Sequence, residues 1–357
     1  MKKICFLIGN IDHSGGTERV TNLIANDLSK KGYKIYILSL FSDENPFFKL
    51  DENIGVYSLY SKKISFKKNL LQTIWKIRSF STEHELDTLI VVDSISCVFT
   101  IPALFGLKIK HICWEHFNFN VDLGVSFRRL GRKLAAKYCD YIVTLTNRDK
   151  KLWMHGLSNI KAEIVPIPNP TPYENTENLP NLESKIILAV GRLTHQKGFD
   201  FLIDAWAKVC NTNSDWMLRI IGDGEDEKKL KQQAKNLGIY NRIEFIAATK
   251  NINKYYETAS FYCMSSRFEG LPMVLLEAQA FGLPIVAFDC DTGPSEIITN
   301  NINGYLCNQN NCEDLSSALN NMMNISDEKF KNMCLNAKLN SNSFKLDKII
   351  EKWTNII

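Results

Sequence analysis

The chain has 357 residues, 45% hydrophobic and 23% charged. That is ordinary globular composition, and the length fits two domains better than one. The net charge of +4 hides an asymmetry: residues 1–170 hold 24 Lys/Arg against 16 Asp/Glu, and residues 171–357 hold 19 against 23. An anionic surface partner is expected for the basic half. Its ten cysteines include no C-x-x-C pair, which argues against a disulfide or zinc framework and for reduced, buried thiols in a cytosolic chain.

The first strand is expected at 3–8. Lys2 and Lys3 precede only a short apolar run before Gly9 and Asn10, so no secretory leader is expected. Gly15-Gly16-Thr17-Glu18-Arg19 then opens a helix over 17–31. Two glycines let a ligand approach the backbone, and the free amides of a helix start favour an anion. The segment is not G-x-G-x-x-G, so a nicotinamide cofactor is not indicated.

Further strands are expected at 34–40, 54–58, 88–92, 109–114, 141–145 and 161–165. Lys62, Lys63, Lys67 and Lys68 form one basic cluster, and residues 127–137 form a second with a helical pattern. Such segments can lie on an anionic membrane face. The least charged stretch, Ser94 to Leu107, contains Pro102 and is shorter than the roughly 20 residues needed to span a bilayer. Trp114-Glu115-His116 follows the strand 109–114, which puts His116 at a strand's carboxyl end.

Val165 to Leu182 contains five of the ten prolines and reads as a linker. The alternation then restarts, with strands at 185–191, 216–221, 242–246, 260–264, 284–288 and 304–307. Helices are expected near 198–210, 225–237, 272–282 and 311–323. Strands alternating with helices predict parallel sheets. The α/β fold expected is two doubly wound, Rossmann-like domains facing across a cleft: 1–168, and 169–342. An amphipathic helix within 343–357 crosses back to the first.

Two segments of the second half carry chemistry. Gly191-Arg192-Leu193-Thr194-His195-Gln196-Lys197-Gly198 puts two cations in a Gly-bounded loop after a strand, which suits a pyrophosphate. Residues 267–284 place Glu269 and Glu277 around Gly270-Leu271-Pro272 and an apolar helix. Pro272 suits the first helical position, leaving the amides of Met273, Val274 and Leu275 for a phosphate. Glu277 sits among apolar helix neighbours and calls for a partner, either a ribose diol or a hidden cation. Asp289-Cys290-Asp291 is formally D-x-D, but Arg192 and Lys197 already supply the positive charge that a metal would bring.

These motifs, with Ile221-Gly222-Asp223-Gly224 and Thr292-Gly293-Pro294-Ser295-Glu296-Ile297-Ile298, resemble a retaining glycosyltransferase of family four with GT-B architecture. The resemblance covers essentially the whole chain and is more specific in the second half. It implies that Arg192 and Lys197 hold the donor pyrophosphate, that Glu269 binds hexose hydroxyls and that Glu277 binds the ribose. Gly15, Gly16 and His116 would close on the donor from the first domain, with Gly270, Leu271, Met273 and Val274 beside it. It further implies no metal or other cofactor, a UDP-linked hexose, and a glycan or lipid-linked acceptor in polysaccharide or lipopolysaccharide synthesis at the cytoplasmic membrane face. Similar sequences often carry Pro where Asp291 stands. A nucleotide-sugar epimerase of the same architecture and a non-catalytic nucleotide-sugar sensor are the rival readings. Nucleic acid is not expected as a partner, because the basic clusters lack interleaved aromatics.

Overall fold

The computed structural model describes residues 1–66, 68–174 and 179–357. Lys67 of the first basic cluster and residues 175–178 of the Pro-rich stretch lie outside the described residues. The chain divides into two compact units, Met1–Pro170 with Leu346–Ile357, and Thr171–Lys345. The boundary falls two residues beyond the expected one.

In the first unit the order is β1 (Lys3–Ile8), α1 (Gly16–Lys30), β2 (Lys34–Ser39), β3 (Gly55–Ser58), α2 (Leu70–Glu83), β4 (Thr88–Val92) and α3 (Cys97–Leu104). Then come β5 (Lys110–Trp114), α4 (Ser126–Tyr138), β6 (Tyr141–Thr144), α5 (Asn147–Gly156) and β7 (Glu163–Pro166). Seven parallel strands run β3-β2-β1-β4-β5-β6-β7. The order reverses direction at β1/β4, the topological switch that places ligands beyond the strands' carboxyl ends.

Strand residues two apart share a face. Cys5, Leu7, Leu89, Val91 and Cys113 therefore pack with Ile77, Phe99, Ala103 and Ala135 of α2, α3 and α4 in one core. Pro102 lies inside α3, where it removes one i→i−4 hydrogen bond.

The second unit runs β8 (Ile186–Val190), α6 (Phe199–Val209), β9 (Met217–Ile221), α7 (Glu227–Asn236), β10 (Ile243–Ile246), α8 (Asn253–Thr258) and β11 (Phe261–Met264). It continues through α9 (Met273–Ala280), β12 (Ile285–Phe288), α10 (Pro294–Ile297), β13 (Gly304–Cys307), α11 (Cys312–Met323) and α12 (Asp327–Ser341). Six parallel strands are ordered β10-β9-β8-β11-β12-β13. The last helix, α13 (Leu346–Thr354), belongs to the first unit. Trp353 packs edge-on against Trp114 of β5, ring centroids 4.9 Å apart, and Lys110 donates to the carbonyl of Ile356 at 2.9 Å. Burying two indoles explains why so short a segment stays docked.

Candidate functional site

In the second unit, the loop after β8 and the segment before α9 are laced together. Arg267 donates its amide to the Gln196 carbonyl at 2.8 Å, and Gln196 Nε2 donates to the Phe268 carbonyl at 3.1 Å. The Arg267 guanidinium grips both oxygens of Asp200 at 2.8 and 2.6 Å and reaches the His195 carbonyl at 2.8 Å. Burial alone would raise the Asp200 carboxyl, but Arg267 holds it below its ordinary value. Gly198 sits at φ +62°, and a Cβ there would lie 2.1 Å from the Ser265 carbonyl oxygen. Only glycine lets the loop approach β11 so closely.

This lacing brings Lys197 Nζ to 2.6 Å from Glu269 Oε1. Glu269 is 7% exposed, and the Glu269 carbonyl accepts from Thr292 Oγ1 at 2.5 Å. A cation and a carboxylate expected from separate motifs are thus direct partners. Arg192 is exposed and, among the described residues, makes no side-chain ion pair. Gly270 is half-buried and Leu271 buried on the same segment.

Two expectations about the helix start need correction. Pro272 is the N-cap, at φ −71° and ψ 111°, and α9 begins at Met273. The amide of Leu275 is not spare: it donates to the Pro272 carbonyl at 3.0 Å. The cause is a tight i→i+3 first turn, which consumes the third amide. Met273 and Val274, both half-buried, head the helix.

Glu277 is 5% exposed. It accepts from the Tyr256 hydroxyl at 2.8 Å. Burial and the nearby Glu277 charge raise Tyr256 well above the ordinary phenol value, so its proton stays available for donation. Tyr256 is itself stacked on Phe281, centroids 5.3 Å apart and planes 8° from parallel. Asp289 is half-buried and Asp291 exposed, and among the described residues they join no group of three metal donors.

In the first unit Gly15 caps α1 and Gly16 opens it; both are exposed. Glu115, beside His116, lies at the centre of a buried ionic network. It takes Arg132 Nε at 3.1 Å and the Ser94 hydroxyl, with Arg128 Nη1 at 3.7 Å. Arg128 also pairs with Asp93 at 2.7 Å. Asp93 has φ +86°, unusual for a non-glycine residue. Burial and the Glu115 charge raise its carboxyl to about 6 despite Arg128. Arg132 further donates to the carbonyls of Phe119, Asn118 and Val121. Burial raises Asp149, which accepts from the Phe119 amide at 2.7 Å, to about 7.

This network divides the basic run 127–137, expected from sequence as an amphipathic segment, between core and surface. Arg128 and Arg132 are buried, and only Arg129, Lys133 and Lys137 face out. His116 tilts against Trp114, ring centroids 4.4 Å apart. Its Nε2 is buried with no hydrogen-bond partner among the described residues, and burial pushes its pKa down to about 3. The ring is therefore neutral at any physiological pH.

Sequence reasoning missed Tyr256, Asp200, Arg267, Asp93 and Arg132 as site-shaping residues. Arg267 and Asp200 are 67 positions apart and Tyr256 and Glu277 are 21 apart, so no local spacing could pair them.

Two Rossmann-like units of parallel strands give the chain the fold of a GT-B glycosyltransferase. Comparison with known proteins agrees. Residues 14–174 match the family model described as Glycosyltransferase Family 4, and residues 173–340 match Glycosyl transferases group 1. An uncharacterized glycosyltransferase of Haemophilus influenzae is 42% identical over all of both chains. The amylovoran biosynthesis glycosyltransferase AmsD of Erwinia amylovora is 31% identical, again over all of both. Among solved structures, Anabaena HepE in complex with UDP-glucose superposes with a TM-score of 0.80 at 18% identity, covering 99% of each chain. The chain belongs to glycosyltransferase family four.

Proposed function

We propose that the chain is a retaining hexosyltransferase that takes a sugar from a UDP-linked donor without a metal ion. The acceptor is a hydroxyl of a glycan or lipid-linked glycan in bacterial cell-surface polysaccharide synthesis. The Lys197–Glu269 pair carries this reading. It sets a cation for a departing diphosphate beside a carboxylate that accepts hydroxyl hydrogens from a hexose, on a loop stiffened by Arg267. Arg192 and the leading amides of α9 add charge stabilisation as the phosphate leaves. Glu277, already holding one phenol donor, has the chemistry to take a ribose hydroxyl as well. His116, neutral and half-buried beside Trp114, is suited to hydrogen-bond a sugar hydroxyl but not to supply a positive charge. No side chain is assigned as nucleophile, so retention is attributed to same-face attack assisted by the leaving phosphate. Support for the donor class comes from the UDP-glucose complex of HepE, and support for the pathway class from the name of AmsD.

A peripheral position on the cytoplasmic face of an anionic membrane fits the surface of the first unit. No helix among the described residues is long and apolar enough to cross a membrane. Leu71 and Trp75 lie four apart on α2 and are 80% and 66% exposed. Phe105, just beyond α3, is 82% exposed, and Arg78 of α2 donates to its carbonyl at 2.8 Å. On α4, Leu130 stands with Lys133 and Lys137, and a groove beside them is lined by Ser158, Asn159 and Lys161. Apolar side chains for the acyl boundary beside cations for lipid phosphates are what an interfacial surface needs.

The test is product analysis. The protein is incubated with UDP-glucose, UDP-galactose and their N-acetyl forms against a panel of glycan acceptors, with and without EDTA. An α-linked product from an α-linked donor, made equally in EDTA, supports the proposal. A β-linked product removes retention. Donor conversion with no glycan formed favours the epimerase, and binding without turnover favours the sensor.

A further inference from the structure

Behind the helix layer of the first unit, four metal-ligating side chains converge from three elements. His111 and Cys113 are two apart on β5 and so face the same side of the sheet. Cys97 is the first residue of α3, and Cys139 caps the carboxyl end of α4. The donor atoms of Cys97, His111 and Cys139 lie within 4.8 Å of one another. Cys139 Sγ is 3.6 Å from His111 Nδ1, and Cys113 shares with His111 the face of β5 that packs into the core beside Cys97 and Cys139.

Zn–S and Zn–N bonds of about 2.3 and 2.0 Å at the tetrahedral angle separate sulfur from nitrogen by about 3.5 Å. The Cys139–His111 spacing already matches that edge. His111 supplies the second observation. It is 4% exposed, and its Nδ1 faces the Cys139 thiol, itself a metal donor. An imidazole nitrogen set against a buried thiol is placed as one edge of a metal site would be.

We propose that Cys97, His111 and Cys139, completed by Cys113, form a closed structural site for Zn²⁺. The ion enters as the unit folds, the ligating thiols release their protons to solvent, and all four positions are taken by protein. The site is separate from donor chemistry: it offers no open position for substrate. It would tie β5 to α3 and α4, and so brace the strand from which Glu115 and His116 emerge.

The test uses the full chain, produced in zinc-supplemented medium and dialysed against metal-free buffer. Elemental analysis is expected to give about one zinc per chain. Cys97→Ser and Cys139→Ser should each lose that zinc, whereas Cys312→Ser, in the other unit, should keep it. If the two cluster variants do not fold, the wild-type chain is refolded with Co²⁺. Tetrahedral cobalt–thiolate absorption then supports the site and its absence overturns it. Wild-type protein holding less than about one-tenth zinc per chain, before and after refolding with Zn²⁺, overturns the proposal. So does zinc that folded Cys97→Ser and Cys139→Ser variants retain.

Discussion

The two units use buried charge in opposite ways. In the second, charges meet in small sets on loops between a strand and a helix: Lys197 with Glu269, and Arg267 with Asp200. Arg192 is left exposed beside them. In the first, Asp93, Glu115, Arg128 and Arg132 are cross-linked, with three backbone carbonyls also taken up by Arg132. A network so extensively cross-linked holds backbone in place, whereas a pair bordered by an exposed cation can exchange partners with a ligand. Charge in a chain of this kind is thus a guide to the site only where pairing is incomplete.

The sharpest way to break this comparison is Arg132→Met. It removes the nearer of the two cations on buried Glu115, and a broken buried pair costs about 3–5 kcal/mol. Urea unfolding should show a loss of that size; a loss under about 1 kcal/mol would mean that the network is not structural. Next in size is Tyr256→Phe. It removes one donor to a buried carboxylate and should cost about 1.5–3 kcal/mol in the same measurement. If stability is unchanged, Glu277 is adequately held by its other surroundings.

The pH response sharpens the comparison further. Asp149 titrates near 7 in the folded chain, held up by burial and by the Glu115 charge against the Phe119 amide and Arg132. Unfolded, it titrates near the ordinary value of about 3.9. Between those values the folded chain holds a proton that the unfolded chain has lost. Stability from this group is therefore present below about pH 4 and is lost as pH rises to about 7. Asp149→Asn should abolish that slope, leaving the variant relatively more stable at pH 7.5 than at pH 5. An unchanged slope in denaturation curves would remove Asp149 as its source.

The smallest effect on stability is expected at the exposed face. Leu71→Ser with Trp75→Ser should shift folding by no more than about 0.5 kcal/mol per substitution. Co-sedimentation with phosphatidylglycerol-containing vesicles should nevertheless fall sharply. Undiminished sedimentation would move the membrane contact elsewhere.

Much of this architecture was legible in the sequence. The alternation of apolar runs and helical stretches located every strand of both sheets to within about two residues, because parallel strands buried on both faces read as continuous apolar runs. Glycine positions marked the loop after β8. What stayed hidden was pairing across long separations. Lys197 and Glu269 were both assigned to ligand, but nothing 72 positions apart announces a contact of 2.6 Å. Within the basic run 127–137, charge alone does not reveal that Arg128 and Arg132 turn toward Glu115. The cysteine group was invisible for the same reason. Residues 97, 111, 113 and 139 follow no metal-binding spacing until the sheet brings them together.

The central claim is that Glu269 reads the transferred sugar while Lys197 and its neighbours hold the diphosphate. Calorimetric titration of wild type and Glu269→Gln with UDP and with the cognate UDP-sugar tests it most directly. The amide keeps an acceptor for Lys197 but loses the charge that strengthens hydroxyl contacts. The account predicts UDP-sugar affinity weakened about 10-fold or more, with UDP affinity nearly unchanged. Equal weakening of both ligands, or of neither, would contradict it.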